Sequence, residues 1–268
     1  MRTLAHLSDL HLGERPENAH AARALVHSVL HERIDHVVVT GDVTHSGTIA
    51  EYELWLEIFE PLLLRRRVTV VPGNHDRTGD GVAELLSDEL RVSVDARDGL
   101  FMVCIDSTAP HNRVAFRSHG ELGVQMLASV DDAMRLAPVG ATSLVLLHHH
   151  VLPQPVEGVG EWIADRMGWP HASELSLGPE LLRRVRGRAE LVLHGHRHVP
   201  RETVLEGERP LRVANAGSST ALGAYRVFEH EDRVVRAGRW VQAREALTAG
   251  WWDRFVRTAI PILPRTEN

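Results

Sequence analysis

Ile34-Asp35-His36-Val37-Val38-Val39-Thr40-Gly41-Asp42 is the stretch that decides the fold. A short β-branched run without polar alternation reads as a strand covered on both faces. Gly41-Asp42 ends it and leaves a carboxylate just past its carboxyl end. The same unit recurs on either side. Leu4 to Leu7 reads as a strand followed by Asp9 and His11, and Val68 to Val71 as a strand stopped by Pro72-Gly73 and followed by Asn74-His75-Asp76. Between them, Ala22, Leu25, Val26, Val29 and Leu30 recur at helical spacing. Thr48 and Glu51 form a capping box, after which Trp55, Ile58, Phe59 and Leu62 share a helix face. Strands alternating with amphipathic helices predict an α/β domain.

Further along, a helix is expected around Val82 to Leu90 and strands over Leu100 to Ile105 and Ser143 to Leu147, with a helix near Leu122 to Leu136 between them. Pro179 opens another helix, where its missing N–H costs least. Leu191 to Leu193 is again a strand. After Arg201 the period shortens, and Val204, Val213, Tyr225 to Phe228 and Val234 to Val241 read as antiparallel strands. The order is βαβα first and mostly β last, which predicts two packed sheets. Residues 1–241 form the expected catalytic domain. Residues 151–178, with Trp162, Met167 and Trp169, are read as a lid loop, and 242–268 as an amphipathic helix and apolar tail. In the tail, Leu247, Trp251 and Phe255 share one face. Docking on its own domain ranks first, contact with a second copy next, and weak membrane contact last.

Composition narrows the function classes. The 268 residues are 43% hydrophobic and 25% charged, which excludes disorder. No apolar run approaches the roughly 18 residues of a membrane span, and no secretory leader is seen, so a cytoplasmic location is expected. Cys104 is the sole cysteine, so neither a disulfide framework nor a cysteine zinc site is available. The net charge of −6 argues against a dedicated nucleic-acid surface. The unusual number is 18 histidines.

Their placement carries the chemistry. Asp9 and His11, Asp42, Asn74 to Asp76, His148 to His150, and His194, His196 and His198 follow five separate strands. In open α/β sheets, ligands bind beyond the carboxyl ends of the strands, so these groups can meet. They offer imidazole nitrogens, carboxylate oxygens and one amide oxygen, a mixture suited to divalent Mn, Fe or Zn. The set is too large for one catalytic zinc and suits two ions acting on a phosphate ester. Asp42 is the candidate to bridge them. His6, His20, His27, His31 and His36 fall outside the pattern and are read as structural or solvated. So are Arg65 to Arg67, beside a helix end.

Together these motifs resemble the calcineurin-like metallophosphoesterases: Asp9-x-His11, Gly41-Asp42, Gly73-Asn74-His75-Asp76, the strand end at His148, and Gly195-His196-x-His198, in the family's order. Asp106-Ser107-Thr108, Gly120 to Gln125 and Asn215 to Ser219 resemble its phosphodiesterase branch. The resemblance implies a four-layer αββα sandwich. It implies one ion on Asp9, His11, Asp42 and His198, and a second on Asp42, Asn74, His148 and His196. It also implies His75 as the catalytic histidine beside the phosphate, held in orientation by Asp76. His149, on the opposite side by alternation, and Arg197 are expected at the substrate together with Asn74. His45 stands where many members carry an aspartate. The implied reaction is hydrolysis of a small phosphodiester, a cyclic nucleotide or glycerophosphodiester, by a hydroxide held between two ions. The alternatives are a lipid-linked or nucleotide diphosphate hydrolase of the UDP-diacylglucosamine type and an inactive scaffold.

Overall fold

The computed structural model describes residues 1–87, 90–97, 99–113, 118–153 and 175–243. The first sheet contains β1 (Arg2–Leu7), β2 (His36–Thr40), β3 (Val68–Val71), β10 (Ala224–Glu231), β11 (Val234–Val235) and β12 (Arg239–Gln242). Its order is β11-β10-β1-β2-β3, with β12 also paired to β10. The second contains β4 (Val92–Arg97), β5 (Leu100–Ile105), β6 (Thr142–Leu146), β7 (Leu191–His194), β8 (Arg201–Leu205) and β9 (Leu211–Asn215), in the order β4-β5-β6-β7-β9-β8. Both are mixed. β1, β2 and β3 are parallel, as are β5, β6, β7 and β9, so two sets of carboxyl ends face one another.

Alternation along the strands makes the layers. Leu100, Met102 and Cys104 of β5 and Leu144 and Leu146 of β6 pack with Leu4, Val38 and Phe228 of the first sheet, forming the core between the sheets. Phe101, Val103, Ile105 and Val145 face the other way, onto α4 (Val124–Arg135) and α5 (Gly178–Val185). In the first sheet, Ala5, Leu7, Val37 and Val39 pack on α1 (Pro16–His31), α2 (Ile49–Leu63) and α3 (Ala83–Leu86). This is the expected αββα sandwich, and both faces of each central strand are dry, which is why those strands read as continuous apolar runs. The expected capping box opens α2: Thr48 accepts from the Glu51 N–H while the Glu51 carboxylate accepts from the Thr48 N–H. No helix among the described residues is long and apolar enough to cross a membrane.

Some expectations are corrected. The helix around Val82 to Leu90 is only the single turn α3. β4 was not foreseen: it pairs on one side only, and Ser93, Asp95 and Arg97 break its apolar pattern. Val234 to Val241 is two short strands rather than one, and β9 is parallel to β7 and antiparallel only to β8. The heart of the lid, with Trp162, Met167 and Trp169, and the tail beyond residue 243 lie outside the described residues. A second short helix, α6 (Ser219–Leu222), precedes β10.

Candidate metal centre

The loops leaving β1 and β2 run side by side after the strands end. The Asp9 N–H donates to the Gly41 carbonyl at 3.0 Å, and the His11 N–H to the Asp42 carbonyl at 3.0 Å. This keeps Asp9, His11 and Asp42 in register. Each sits in the left-handed region, at φ 52°, 44° and 50°, and His196 joins them at 69°. Such a conformation costs a non-glycine residue on the order of 1–3 kcal/mol and persists where the surroundings enforce it, typically at functional sites. Two motif glycines provide the room. A Cβ on Gly73 would land on Asp42 Oδ1, and one on Gly195 would land on Asp9 Oδ2 and Ser8 Oγ.

Seven expected ligands converge. His148 Nε2 lies 3.3 Å from Asp42 Oδ2 and 3.1 Å from Asn74 Oδ1, and His196 Nδ1 is 3.0 Å from the same Asn74 oxygen. On the other side, His11 Nε2 is 3.9 Å from Asp42 Oδ2 and 4.0 Å from Asp9 Oδ1, while His198 Nε2 is 3.5 Å from Asp9 Oδ1. His11 Nε2 and His198 Nε2 are 3.1 Å apart. Bonds of about 2.1 Å place neighbouring ligands of one ion roughly 3.0–3.4 Å apart, so the nearest pairs already have ligand spacing. Asp42 Oδ2 stands between the two groups. Asp9 Oδ1 is buried with no hydrogen-bond donor on it, a costly state for a carboxylate oxygen unless a cation faces it. The residues therefore fit divalent ions. Asp9 and Asp42 are buried, whereas the His198 side chain is 45% exposed and marks the open side.

Neighbours fix the ligand atoms. His148 Nδ1 donates to the Thr40 carbonyl at 2.8 Å, which leaves the Nε2 lone pair facing Asp42 and Asn74. Ser218 Oγ donates to the Asp9 carbonyl at 2.8 Å, and Asn215 Nδ2 to the Arg197 carbonyl at 2.8 Å. The stretch from Asn215 to Ser219 thus straps the loops carrying Asp9 and His196. Burial pushes the Asp42 carboxyl up, but His148, His75 and His11 outweigh it and hold it well below the usual carboxylate range. Burial lowers His148, yet Asp42 and Asp9 overcome this and raise it to about 9. His11 has less help: burial lowers it to about 4 against the pull of Asp42 and Asp9.

The supporting roles differ from expectation. Asp76 does not hold the His75 ring. Its carboxylate is buried and accepts from the N–H groups of Gly73 at 2.8 Å and Thr44 at 2.9 Å and from the Thr44 hydroxyl at 2.7 Å. It ties the third strand-end loop to the second. Burial and the Asp42 charge raise it to about 6. The His75 ring is instead held by the His45 carbonyl, 2.6 Å from Nδ1, and the His75 N–H donates to Asp42 Oδ1 at 2.8 Å. Nor is His149 placed to touch a substrate. Its ring lies 5.0 Å from that of His148 and 4.7 Å from that of His196 and is buried, with Nε2 donating to the Ser118 carbonyl and Nδ1 accepting from Ser107 Oγ, both at 2.8 Å, so both of its nitrogens are engaged. His150 is buried with its ring stacked on His196, and burial, with His194 and Arg197 adding to it, lowers it to about 3. The positioning role of Thr44 went unremarked in the sequence, where a hydroxyl two residues after Gly-Asp was the available signal; Thr40 was read only as the end of its strand and Ser218 only within the stretch from Asn215 to Ser219.

Comparison with known proteins agrees with this geometry. The family model described as calcineurin-like phosphoesterase matches residues 2–200. The chain is similar to the 3',5'-cyclic adenosine monophosphate phosphodiesterase CpdA of Vibrio vulnificus (strain CMCP6), 26% identical over 160 residues, 56% of each chain. It is similar to a probable cyclic nucleotide phosphodiesterase of Vesicomyosocius okutanii subsp. Calyptogena okutanii (strain HA), 29% identical over 79 residues, 28% of this chain and 33% of that one. The matches thus span about half or less of these curated relatives. Among solved structures, a dimetal phosphatase from Danio rerio shares the fold, with a TM-score of 0.59, 13% identity, and coverage of 91% of this chain and 99% of that one.

Proposed function

The chain belongs to the calcineurin-like phosphoesterases, and on that premise we propose that it is a binuclear metal-dependent hydrolase of small phosphodiesters, with a cyclic nucleotide as first candidate substrate. The observation that carries the reading is Asp42 standing between His11 on one side and His148 on the other, within a buried set of imidazole, carboxylate and amide donors. Asp9, His11, Asp42 and His198 would hold one ion, and Asp42, Asn74, His148 and His196 the other. Bound Mn, Fe or Zn ions supply charge neutralisation of the phosphoryl oxygens and an acidified water.

The chain's own residues do the rest. Thr40 and Gly73 keep His148 and Asp42 aimed inward. His75 donates from Nδ1 to the His45 carbonyl, so its Nε2 is the position that can carry a proton to a leaving oxygen. Burial lowers the His75 ring, but the Asp42 charge and the His45 carbonyl raise it above its ordinary value, which favours the protonated form such a donor needs. No protein nucleophile is required. The substrate preference draws support from the two cyclic-nucleotide relatives. The test is a panel of cyclic AMP, bis(p-nitrophenyl) phosphate, a glycerophosphodiester, a monoester and a nucleotide diphosphate, assayed with added manganese. Preferential turnover of the diesters is expected. Preference for the diphosphate would favour a pyrophosphohydrolase, and no turnover at all would contradict the reading.

A further inference from the structure

His11, His45 and His75 form a second cluster of imidazoles at the rim of the centre. Their ring centroids are 5.7 Å apart for His11–His45, 4.7 Å for His11–His75 and 5.2 Å for His45–His75. One nitrogen from each ring lies within 4.8 Å of the others. They come from three successive strand ends, β1, β2 and β3. The carboxylates of the main centre are not part of this trio, and the His45 side chain has no part in the reaction set out above. Two of its nitrogens, His11 Nδ1 and His45 Nδ1, are buried without a hydrogen-bond partner. An orphaned buried polar atom is costly, and two in one cluster point to something that satisfies them both.

The donor chemistry says what. Three nitrogens without an oxygen suit zinc rather than manganese, magnesium or calcium, which prefer carboxylate, carbonyl and water. Zinc–nitrogen bonds of about 2.0–2.1 Å place tetrahedral ligands roughly 3.3 Å apart. The His45 side chain is only half-buried, so its ring has room to rotate and close on His11 and on the His75 ring that the His45 carbonyl holds. We propose that His45 and His75, sharing His11 with the main centre as a bridging imidazolate whose remaining N–H proton is released to solvent, form an accessory zinc site that takes up a third ion when zinc is in excess, and that its occupation inhibits hydrolysis by engaging His75. The inhibition half rests on the phosphodiesterase reading; the binding half does not.

The test counts ions on the full-length protein. Zinc per chain is measured by mass spectrometry after dialysis against limiting and then excess buffered zinc, alongside hydrolysis of bis(p-nitrophenyl) phosphate. The wild type is expected to rise from two zinc ions to three, with turnover falling at least tenfold. His45→Ala, and His45→Asn should the first variant fold poorly, should stop at two and lose that inhibition, each judged against its own rate at limiting zinc. A wild type that stays at two, or a third ion and inhibition that persist in both variants, would overturn the proposal. A third ion lost in the variants of a protein that hydrolyses nothing would uphold the site and sink the phosphodiesterase reading instead.

Discussion

His148, His149 and His150 are neighbours in the chain and end in three environments: facing Asp42 and Asn74, locked between Ser107 and Ser118, and stacked on His196. Their substitutions should therefore separate cleanly. His148→Ala is expected to lower metal content. His149→Ala should keep the metals and instead destabilise the fold by about 2–6 kcal/mol, on the order of 1–3 for each of the two partners left unsatisfied, as read by denaturant titration; a raised KM with unchanged stability would return His149 to the substrate. The same logic divides His75 from Asp76. His75→Ala should retain its ions and lose about 10²–10⁴-fold in kcat, whereas Asp76→Ala, which frees the N–H groups of Gly73 and Thr44, should lower the thermal midpoint as well as the rate. The convergence of the expected ligands was legible because imidazole and carboxylate at five strand ends have few joint explanations. Asp76 misled because its partners are backbone amides, which the sequence does not distinguish.

At the scale of elements, the strands that position the centre were readable because both their faces are dry. β5 matches its expected limits for this reason, and β3 does so with Val68 and Val70 only half-buried, on a run that Pro72 stops. The edge strand β4, paired among the described residues with β5 alone, alternates Val92, Val94 and Ala96 with Ser93, Asp95 and Arg97, a period-2 signal that was passed over for want of an apolar run. What no pattern announced is the left-handed backbone at Asp9, His11, Asp42 and His196, since none of the four is glycine. That geometry depends on close approach at the motif glycines. Gly195→Ala should push Asp9 out of place and empty the first ion site, while Gly123→Ala, where φ is −94° and the added carbon meets no neighbour within 4 Å, should leave metal content unchanged. Equal metal loss in the two variants would show that the tight packing at Gly195 is irrelevant.

The whole molecule carries an acid sensitivity of its own. Burial, reinforced by Arg226 and His194, holds His6 well below the ordinary histidine value of 6.5, and burial with Arg97 and Arg67 lowers His36 to about 4. Both rings are neutral in the fold but charge in the unfolded chain near pH 6.5, so below that pH the unfolded state binds more protons. Their contribution is complete above pH 6.5 and is lost as pH falls toward about 4. The urea midpoint should decline from pH 7.5 to pH 5, and less steeply in a His6→Gln/His36→Gln double variant; parallel profiles would mean that other groups control it. Two packed sheets were foreseen from the order of elements and the four-layer sandwich from the family resemblance, while the choice of substrate was not foreseen, because the expected lid and tail have no readable code. The proposed function returns to Asp42, which would be shared between two cations. The direct measurement is metal content per chain by mass spectrometry after manganese loading: two ions in the wild type and loss of both in Asp42→Ala are predicted, and a single ion in the wild type, or two ions undisturbed in Asp42→Ala, would contradict the account.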